Sequence, residues 1–298
     1  MDIGAFEWTI TLIVILGLLA FDFFFHVRKA HEPTLKEAAI WSAFYIGVAL
    51  LFGLVIWWMD GGEYATEYYA GYITEKALSV DNLFVFMVII GSFRVPRIYQ
   101  QKVLLFGIVF ALISRTGFIL AGAWLINTLS WMFYIFGLVL LLTAGNLLKG
   151  ELVGDDAKDE ADNVLVRLAK RVLNTTDYYD GDKLSTKVDG KRVFTPMLLV
   201  MVAIGLTDLL FAFDSIPAIF GLTNQAYIVF TATAFSLMGL RQLYFLIDGL
   251  LDRLVYLSYG LAVILGYIGV KLILHALHEN QLPFINEGQP VPVYEIQT

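Results

Sequence analysis

Long unbroken apolar runs constrain what this chain can fold into more than any other feature. A run of about 20 apolar residues is long enough to cross the hydrocarbon core of a bilayer as an α-helix. Of the 298 residues, 58% are hydrophobic and only 16% are charged, which is more apolar surface than a soluble domain of this length buries. Eight predicted spans lie at 6–25, 40–59, 68–92, 103–125, 131–148, 197–220, 226–248 and 255–275.

The sequence therefore predicts an all-α polytopic membrane protein with about eight transmembrane helices. Residues 1–148 hold predicted helices 1 to 5, and residues 196–275 hold helices 6 to 8. Between them, residues 149–195 form a cytoplasmic segment, and residues 276–298 form an extracytoplasmic tail. The first apolar run has no basic residue before it, so we expect a retained helix rather than a cleavable signal peptide.

The lysines and arginines predict the orientation of these helices. Four of the 20 lie within predicted spans, and the others fall in the loops 26–39 and 93–102, in the segment 149–195 and in the turn near residue 250. Because positive loops stay on the cytoplasmic side, we expect both termini to lie outside the cell. We expect these positive segments on the cytoplasmic side of the cytoplasmic (inner) membrane. The sequence gives no sign of a nucleic-acid partner, and it leaves the oligomeric state open.

Helices 3 to 5 resemble helices 6 to 8. The first helix of each triplet carries two acids six residues apart, the second carries an arginine, and the third is marked by glycines. Because each copy has three helices, an odd number, the second copy starts from the opposite side of the membrane and is predicted to be inverted. This arrangement is typical of secondary transporters with a site near the midplane. The residues are Glu75, Asp81 and Arg115 in the first copy, and Asp208, Asp214 and Arg241 in the second.

The acids within the spans outnumber the bases. A carboxylate at the bilayer centre costs at least ~2.5–3.5 kcal/mol on insertion scales, so each acid needs a compensating partner. Arg115, Arg241 and Lys76 are the predicted counter-charges, and the surplus acids either hold protons or bind cations. Internal salt bridging is the simpler interpretation for Asp22 and Asp248, which lie near cytoplasmic helix ends where water can reach them.

Helical geometry groups the central acids with other oxygen ligands. Seven residues turn a helix back to within ~20° of its starting direction, so Glu75 shares a face with Asn82, and Asp208 shares one with Ser215. Six residues turn it by ~240°, so on ideal helices Asp81 and Asp214 point elsewhere.

A proline near the second pair of acids changes this geometry. Pro217 cannot donate to the carbonyl of Phe213, and it therefore frees an oxygen beside Asp214 and kinks the helix. The resulting set of carboxylates, amide, hydroxyl and carbonyl contains oxygen ligands alone. Such a set suits Mn²⁺, Mg²⁺ or Ca²⁺ better than Zn²⁺ or copper.

Three motifs resemble those of the TerC family of integral membrane proteins: VDN (80–82), FAFDSIPAIF (211–220) and GLRQLYFL (239–246). The resemblance runs from about residue 10 to residue 275. It implies a metal-ion transporter, with Mn²⁺ efflux the best-supported role, in a family named for tellurite resistance. It also implies an ion site lined by Glu75, Asp81, Asn82, Asp208, Asp214 and Ser215. Many members carry a further C-terminal helix, and the polar tail here looks like a loop that leads to a missing ninth span.

The cytoplasmic segment is predicted to have structure of its own. NVLVRLAKRVL (163–173) has one apolar and one basic face, which favours a helix on the inner leaflet. KLSTKVDGKRVF (183–194) reads as a β-hairpin with a type I′ turn at Asp189-Gly190. We expect an ordered loop that caps the inner mouth of the protein.

Three function classes follow from these observations. The first is a secondary transporter of divalent metal, Mn²⁺ first, for which protons are one candidate coupling ion and no resident cofactor is expected. The second is a non-transporting membrane scaffold for tellurite or envelope-stress resistance. The third, an intramembrane enzyme, has little support, because the chain has neither HExxH nor GxSxG and no cysteine. The sequence therefore predicts a transporter and not an enzyme.

Overall fold

The computed structural model describes residues 3–27, 32–128, 131–153, 176, 178–188, 191–248, 257–280, 282 and 285–293. These residues are mostly helical, as the sequence predicts, and one short hairpin is present. In chain order the helices are α1 (Ala5–Asp22), which continues as a π-turn over Phe23–Val27, α2 (Leu35–Asp60), α3 (Gly62–Ser92), α4 (Arg97–Thr128), α5 (Met132–Val153), α6 (Pro196–Phe220), α7 (Ala226–Leu237), α8 (Leu240–Asp248) and α9 (Leu257–His278).

Local sequence signals explain where several helices begin. The Thr34 hydroxyl accepts a hydrogen bond from the backbone N–H of Glu37 at 3.2 Å, which caps the start of α2. Gly61, with a φ of 101°, separates α2 from α3 by a sharp turn that a residue with a Cβ would adopt only under strain. Pro196 opens α6 at a position where its missing N–H costs no intrahelical hydrogen bond.

Four of the described helices are long and apolar enough to cross a bilayer, namely Ala5–Phe25, Leu35–Asp60, Arg97–Trp124 and Pro196–Phe220. Helices α7 and α8 form a fifth span if they are taken together, although they are bent by 44° at their junction. The predicted third span, α3, is 31 residues long but carries five charged side chains. The described apolar parts of α5 and α9 are shorter, so the eight-span count remains a prediction.

Helix α3 lies at the centre of the packing, where it contacts α2, α6 and α7. Helix α4 packs on α6 and α7, and α5 packs along α9. The first helix of each predicted repeat therefore contacts the second helix of the other, and the two third helices pair. A two-fold relation between the repeats would give this pairing, and the inverted repeat itself stays a prediction.

The described part of the segment 149–195 contacts the ends of α3 and α4. Strands β1 (Ser185–Val188) and β2 (Lys191–Phe194) pair antiparallel, and the predicted turn at 189–190 lies outside the described residues, as does the predicted helix at 163–173. The Tyr179 hydroxyl donates to the carbonyl of Phe93 at 2.8 Å. The Lys102 ammonium lies 2.5 Å from Asp182 and holds the pKa of that carboxyl below its usual range. These contacts fasten the hairpin to the membrane helices.

Candidate ion-binding site

Two buried carboxylates from α3 and α6 meet on one arginine from α4. The Arg115 guanidinium donates to Asp208 through Nη2, at 3.1 Å from Oδ1, and through Nε, at 3.5 Å from Oδ2. Its remaining nitrogen, Nη1, forms an ion pair with Oε1 of Glu75. The planar fork of the guanidinium therefore joins the two helices at the charged residues that the sequence singled out.

This trio is removed from solvent. The exposed fractions of Glu75, Arg115 and Asp208 are 0%, 1% and 2%. With two acids and one base, the cluster carries a surplus negative charge when all three groups are ionised. Because an uncompensated charge is costly at such burial, the cluster favours a further cation or a proton.

Buried polar groups without hydrogen-bond partners lie on the same two helices as Glu75 and Asp208. The second carboxylate oxygen of Glu75, Oε2, is buried and has no hydrogen-bond partner among the described residues. The same holds for the hydroxyls of Ser79, one turn from Glu75, and of Thr207, beside Asp208. The Ser215 hydroxyl, two turns further along α6, is likewise unpartnered within the described part of the chain. Buried oxygens are normally paired, so this set has the chemistry of an oxygen-ligand site for a cation.

The remaining predicted ligands lie on the same two helices. Asn82 is buried on α3 and Asp81 is partly buried. Asp214 belongs to α6, but its side chain lies outside the described part. Helix α6 runs through Pro217 and ends at Phe220. Among the described side chains, no group of three or more His, Asp or Glu residues is close enough to hold a metal ion.

The other two predicted counter-charges have different partners. Arg241 donates to Asp22 at 2.7 Å and also to the side-chain oxygen of Gln101. Lys76 donates to two backbone carbonyls, those of Ser236 at 2.9 Å and Met238 at 3.2 Å. Of the three bases, Arg115 is therefore the one with recorded contacts to Glu75 and Asp208.

Asp22 is the centre of a second buried polar cluster, which joins α1, α2, α4 and α8. Besides Arg241, its Oδ1 accepts from the Tyr45 hydroxyl at 3.0 Å and from the Gln242 amide at 2.9 Å. The salt-bridge interpretation of Asp22 is confirmed, but the expected access of water is wrong, since Asp22 is only 6% exposed. Its partners Tyr45 and Gln242 come from α2 and α8, which pack against each other.

This second cluster should contribute to stability. We expect Asp22→Asn to lower the free energy of unfolding by ~3–5 kcal/mol, because it leaves the Arg241 charge buried without an anion. Thermal unfolding of the purified protein measures this loss. Asp182→Asn removes a carboxylate from an exposed pair and should change little. If Asp22→Asn and Asp182→Asn unfold at the same temperature, the cluster is not stabilising.

A cavity of about 690 Å³ lies at the N-terminal end of α3, away from the trio. It is lined by Glu63 and Glu67 of α3, by Thr223 and Asn224 after α6, and by Lys271 and His275 of α9, among others. Glu67 accepts a hydrogen bond from the Thr223 hydroxyl at 2.5 Å. Eight residues separate Glu67 from Glu75, so the cavity is ~12 Å along α3 from the trio.

Sequence reasoning missed several of these polar residues. Ser79 follows Glu75 by one helical turn, so the spacing rule that selected Asn82 would also have selected it. Thr207 is adjacent to Asp208, but a threonine in an apolar helix is common and drew no attention. Gln101 and Tyr45 had no usable signal, because their partners, Arg241 and Asp22, lie on other helices.

The fold and the buried charged cluster define a polytopic α-helical membrane protein with an internal polar site. A family model described as the integral membrane protein TerC family matches residues 60–294, and the chain belongs to this family. The resemblance found in the sequence motifs is thus confirmed, and so is integration in a membrane.

Three relatives illustrate the similarity. An uncharacterized membrane protein of Mycobacterium tuberculosis is 60% identical over 299 residues, which cover 100% of this chain and 75% of that protein. One of Myxococcus xanthus is 38% identical over 265 residues, 89% of this chain and 82% of the relative. The Escherichia coli protein named "Putative membrane-bound redox modulator Alx" is 38% identical over 276 residues, 90% of this chain and 85% of its own length. No solved structure matches the chain.

Proposed function

We propose that this protein is a secondary transporter of divalent metal ions, most specifically an exporter of Mn²⁺, that binds its substrate between α3 and α6. The observation that supports this proposal is the contact of Glu75 and Asp208 with a single cation, the Arg115 guanidinium, in a site closed to solvent. Membership of the TerC family agrees with a transport role.

The guanidinium occupies the position where a metal cation would be held. In the loaded state, Mn²⁺ would take the place of Arg115 between the two carboxylates and exchange its water shell for their oxygens. Asn82, Ser215, Asp81 and Asp214 are the further predicted ligands. The unpartnered Oε2 of Glu75 and hydroxyl of Ser215 fit this role, because a bound cation would satisfy them.

Protons are the proposed coupling ion. The trio of two acids and one base holds a surplus acid that a proton neutralises when the metal is absent, since burial disfavours the charged form. A proton and a metal ion would then compete for the same carboxylates. The chain contains no nucleotide-binding P-loop, which agrees with a transporter that ATP does not drive directly.

The cavity at the N-terminal end of α3 is the proposed outer end of the ion path. Its two glutamates outnumber its one lysine, Lys271, and α3 and α6 both extend from it toward the trio. Between the cavity and Glu75, the small residue Gly71 packs on Ile219 and Ala232, where an added Cβ would lie 3.3 Å from the Ala232 side chain. This apolar contact separates the trio from the outer cavity.

Flux of radioactive Mn²⁺ in proteoliposomes tests the proposal directly. We expect uptake that depends on the reconstituted protein and is faster when an opposed proton gradient is imposed. Flux at the rate of protein-free vesicles, with or without the gradient, would contradict it. That result would favour the alternative, a non-transporting membrane scaffold.

We propose the cytoplasmic membrane as the location, with the N-terminus and the cavity outside and the hairpin inside. A cysteine at Gly62 should react with an impermeant reagent in intact cells, whereas one at Lys187 should react only after permeabilisation. Both positions are exposed, and the chain has no cysteine that would give background labelling. Labelling at Lys187 in intact cells would reverse the orientation.

A redox role, which the name of the Escherichia coli relative suggests for that protein, would need a different chemistry here. The 298 residues contain no cysteine, so thiol exchange within this chain is not available. The metal-transport proposal requires only the acids, amide and hydroxyls already described.

A further inference from the structure

The span formed by α7 and α8 is broken at its middle. Helix α7 ends at Leu237, α8 begins at Leu240, and the two axes are bent by 44°. Gly239 has a φ of 74°, a conformation that favours glycine, and it thereby turns the chain between the two helices. The last carbonyls of α7 cannot receive hydrogen bonds from a continuing helix, so they need other donors.

Lys76 of α3 supplies that donor. Its ammonium lies 2.9 Å from the carbonyl oxygen of Ser236 and 3.2 Å from that of Met238, on either side of the last residue of α7. A positive charge at the C-terminal end of a helix is also favoured by the helix dipole. The Lys76 side chain therefore gives two carbonyls at the break a hydrogen-bond donor, and it attaches the end of α7 to α3.

The α8 side of the break is held by the second polar cluster. Gly239 packs closely on Tyr45, where an added Cβ would lie 2.9 Å from the Tyr45 Cβ. Two residues further on, Arg241 binds Asp22, which also accepts from Tyr45. The two half-helices are thus fixed by separate anchors, Lys76 for α7 and Asp22 for α8.

Lys76 directly follows Glu75 in the sequence. Consecutive residues on a helix point ~100° apart, so Glu75 and Lys76 face different neighbours from the same turn of α3. Glu75 faces Arg115, and Lys76 faces the break. A rotation of α3 that moved one of them would therefore move the other.

We propose that Lys76 is a positioning residue: it holds the broken span in its bent form and sets the rotation of α3, and so the direction of Glu75. It acts on the site through α3 and has no role as a ligand. The part that concerns Glu75 rests on the proposed function, whereas the part that concerns the break does not.

Hydrogen–deuterium exchange of the full chain in detergent tests the break. In Lys76→Met, the amides of residues 236–242 should exchange about tenfold faster or more, because the carbonyls lose charge-assisted hydrogen bonds, while the rest of α3 and α6 stays protected. Lys76→Arg should restore much of the protection. Lys102→Met is the matched control, since Lys102 also lies within a helix but pairs with Asp182, outside the proposed ion path.

Three outcomes are decisive. Unchanged exchange at 236–242 in Lys76→Met, or an equal increase throughout the chain, would overturn the proposal. If Lys76→Met does not fold, Lys76→Gln, whose amide donates without charge and reaches less far, should show the same local increase in weaker form. A folded Lys76→Gln with wild-type exchange would overturn it as well.

A second measurement separates this proposal from the proposed function. The concentration of Mn²⁺ that raises the unfolding temperature half-maximally should increase about tenfold in Lys76→Met, since a misdirected ligand typically weakens metal binding by that order. It should stay at the wild-type value in Lys102→Met. If the wild-type protein itself shows no response to Mn²⁺, the proposed function is contradicted, and the exchange result alone decides the role of Lys76 at the break.

Discussion

Replacing Arg115 with glutamine should destabilise the metal-free protein by ~3–5 kcal/mol, and saturating Mn²⁺ should restore most of that loss. The substitution leaves Glu75 and Asp208 buried without the cation that joins them. A divalent ion supplies two positive charges at the same place, so the loaded protein no longer depends on the arginine. Thermal unfolding with a chelator and with Mn²⁺ measures both states.

A matched control is available in the second polar cluster. Arg241 is also a buried arginine that binds an aspartate, but its recorded partner is Asp22. Arg241→Gln should therefore lose similar stability in the chelator and in Mn²⁺. The difference between the two variants, rather than the loss in either, reports on the ion site.

A double substitution tests the physical reason. Arg115→Gln combined with Asp208→Asn removes the guanidinium and one of the two acids, so it should be more stable in the metal-free state than Arg115→Gln alone. Residues in one charged network are expected to show such non-additive effects. Equal losses for Arg115→Gln with and without Mn²⁺ would show that the arginine is only structural.

The main parts of this site could be predicted because charge in an apolar helix is costly. The paired acids at 75, 81, 208 and 214 were recognisable from their spacing, and Arg115 from its place in an apolar run. The structure brings Glu75, Arg115 and Asp208 together. What the spacing could not give is which arginine meets which acid, since that depends on the packing of helices far apart in sequence.

The broken span shows a different limit. Residues 226–248 form one apolar run, and Gly239 within it is unremarkable, because glycine is frequent in transmembrane helices. The break depends on a donor for the freed carbonyls, and that donor, Lys76, comes from 160 residues earlier in the chain. Its charge alone suggested a partner for acids, whereas its contacts are with backbone carbonyls.

Helix α3 is not among the described helices that are long and apolar enough to cross a bilayer. Its charged residues lower its hydropathy, yet Glu75 at its centre is completely buried. The helix that carries the site is thus less apolar than its neighbours α2 and α6.

Neutralising one central acid should abolish transport while the protein still folds. We expect Asp208→Asn and Glu75→Gln to reduce the initial rate of Mn²⁺ flux about 100-fold or more, because each removes a proposed ligand, and even groups that only orient ligands cost 10–100-fold. Asp81→Asn and Asp214→Asn should have the same effect if both acids belong to the site. Flux in proteoliposomes at matched protein content measures the rates.

Folding and function separate in these variants for a physical reason. Asp208→Asn and Glu75→Gln each remove the surplus negative charge of the trio, so Arg115 still has one anion and the metal-free protein keeps most of its stability. The ion, in contrast, loses both a ligand and the charge that compensates its lost water shell. Asp182→Asn, in an exposed pair, and Asp248→Asn, at the predicted wet end of a span, serve as controls with near-normal flux. If Asp81→Asn and Asp214→Asn both transport Mn²⁺ at the wild-type rate, the site is confined to Glu75 and Asp208. If Glu75→Gln and Asp208→Asn also transport at the wild-type rate, a scaffold explains the protein better.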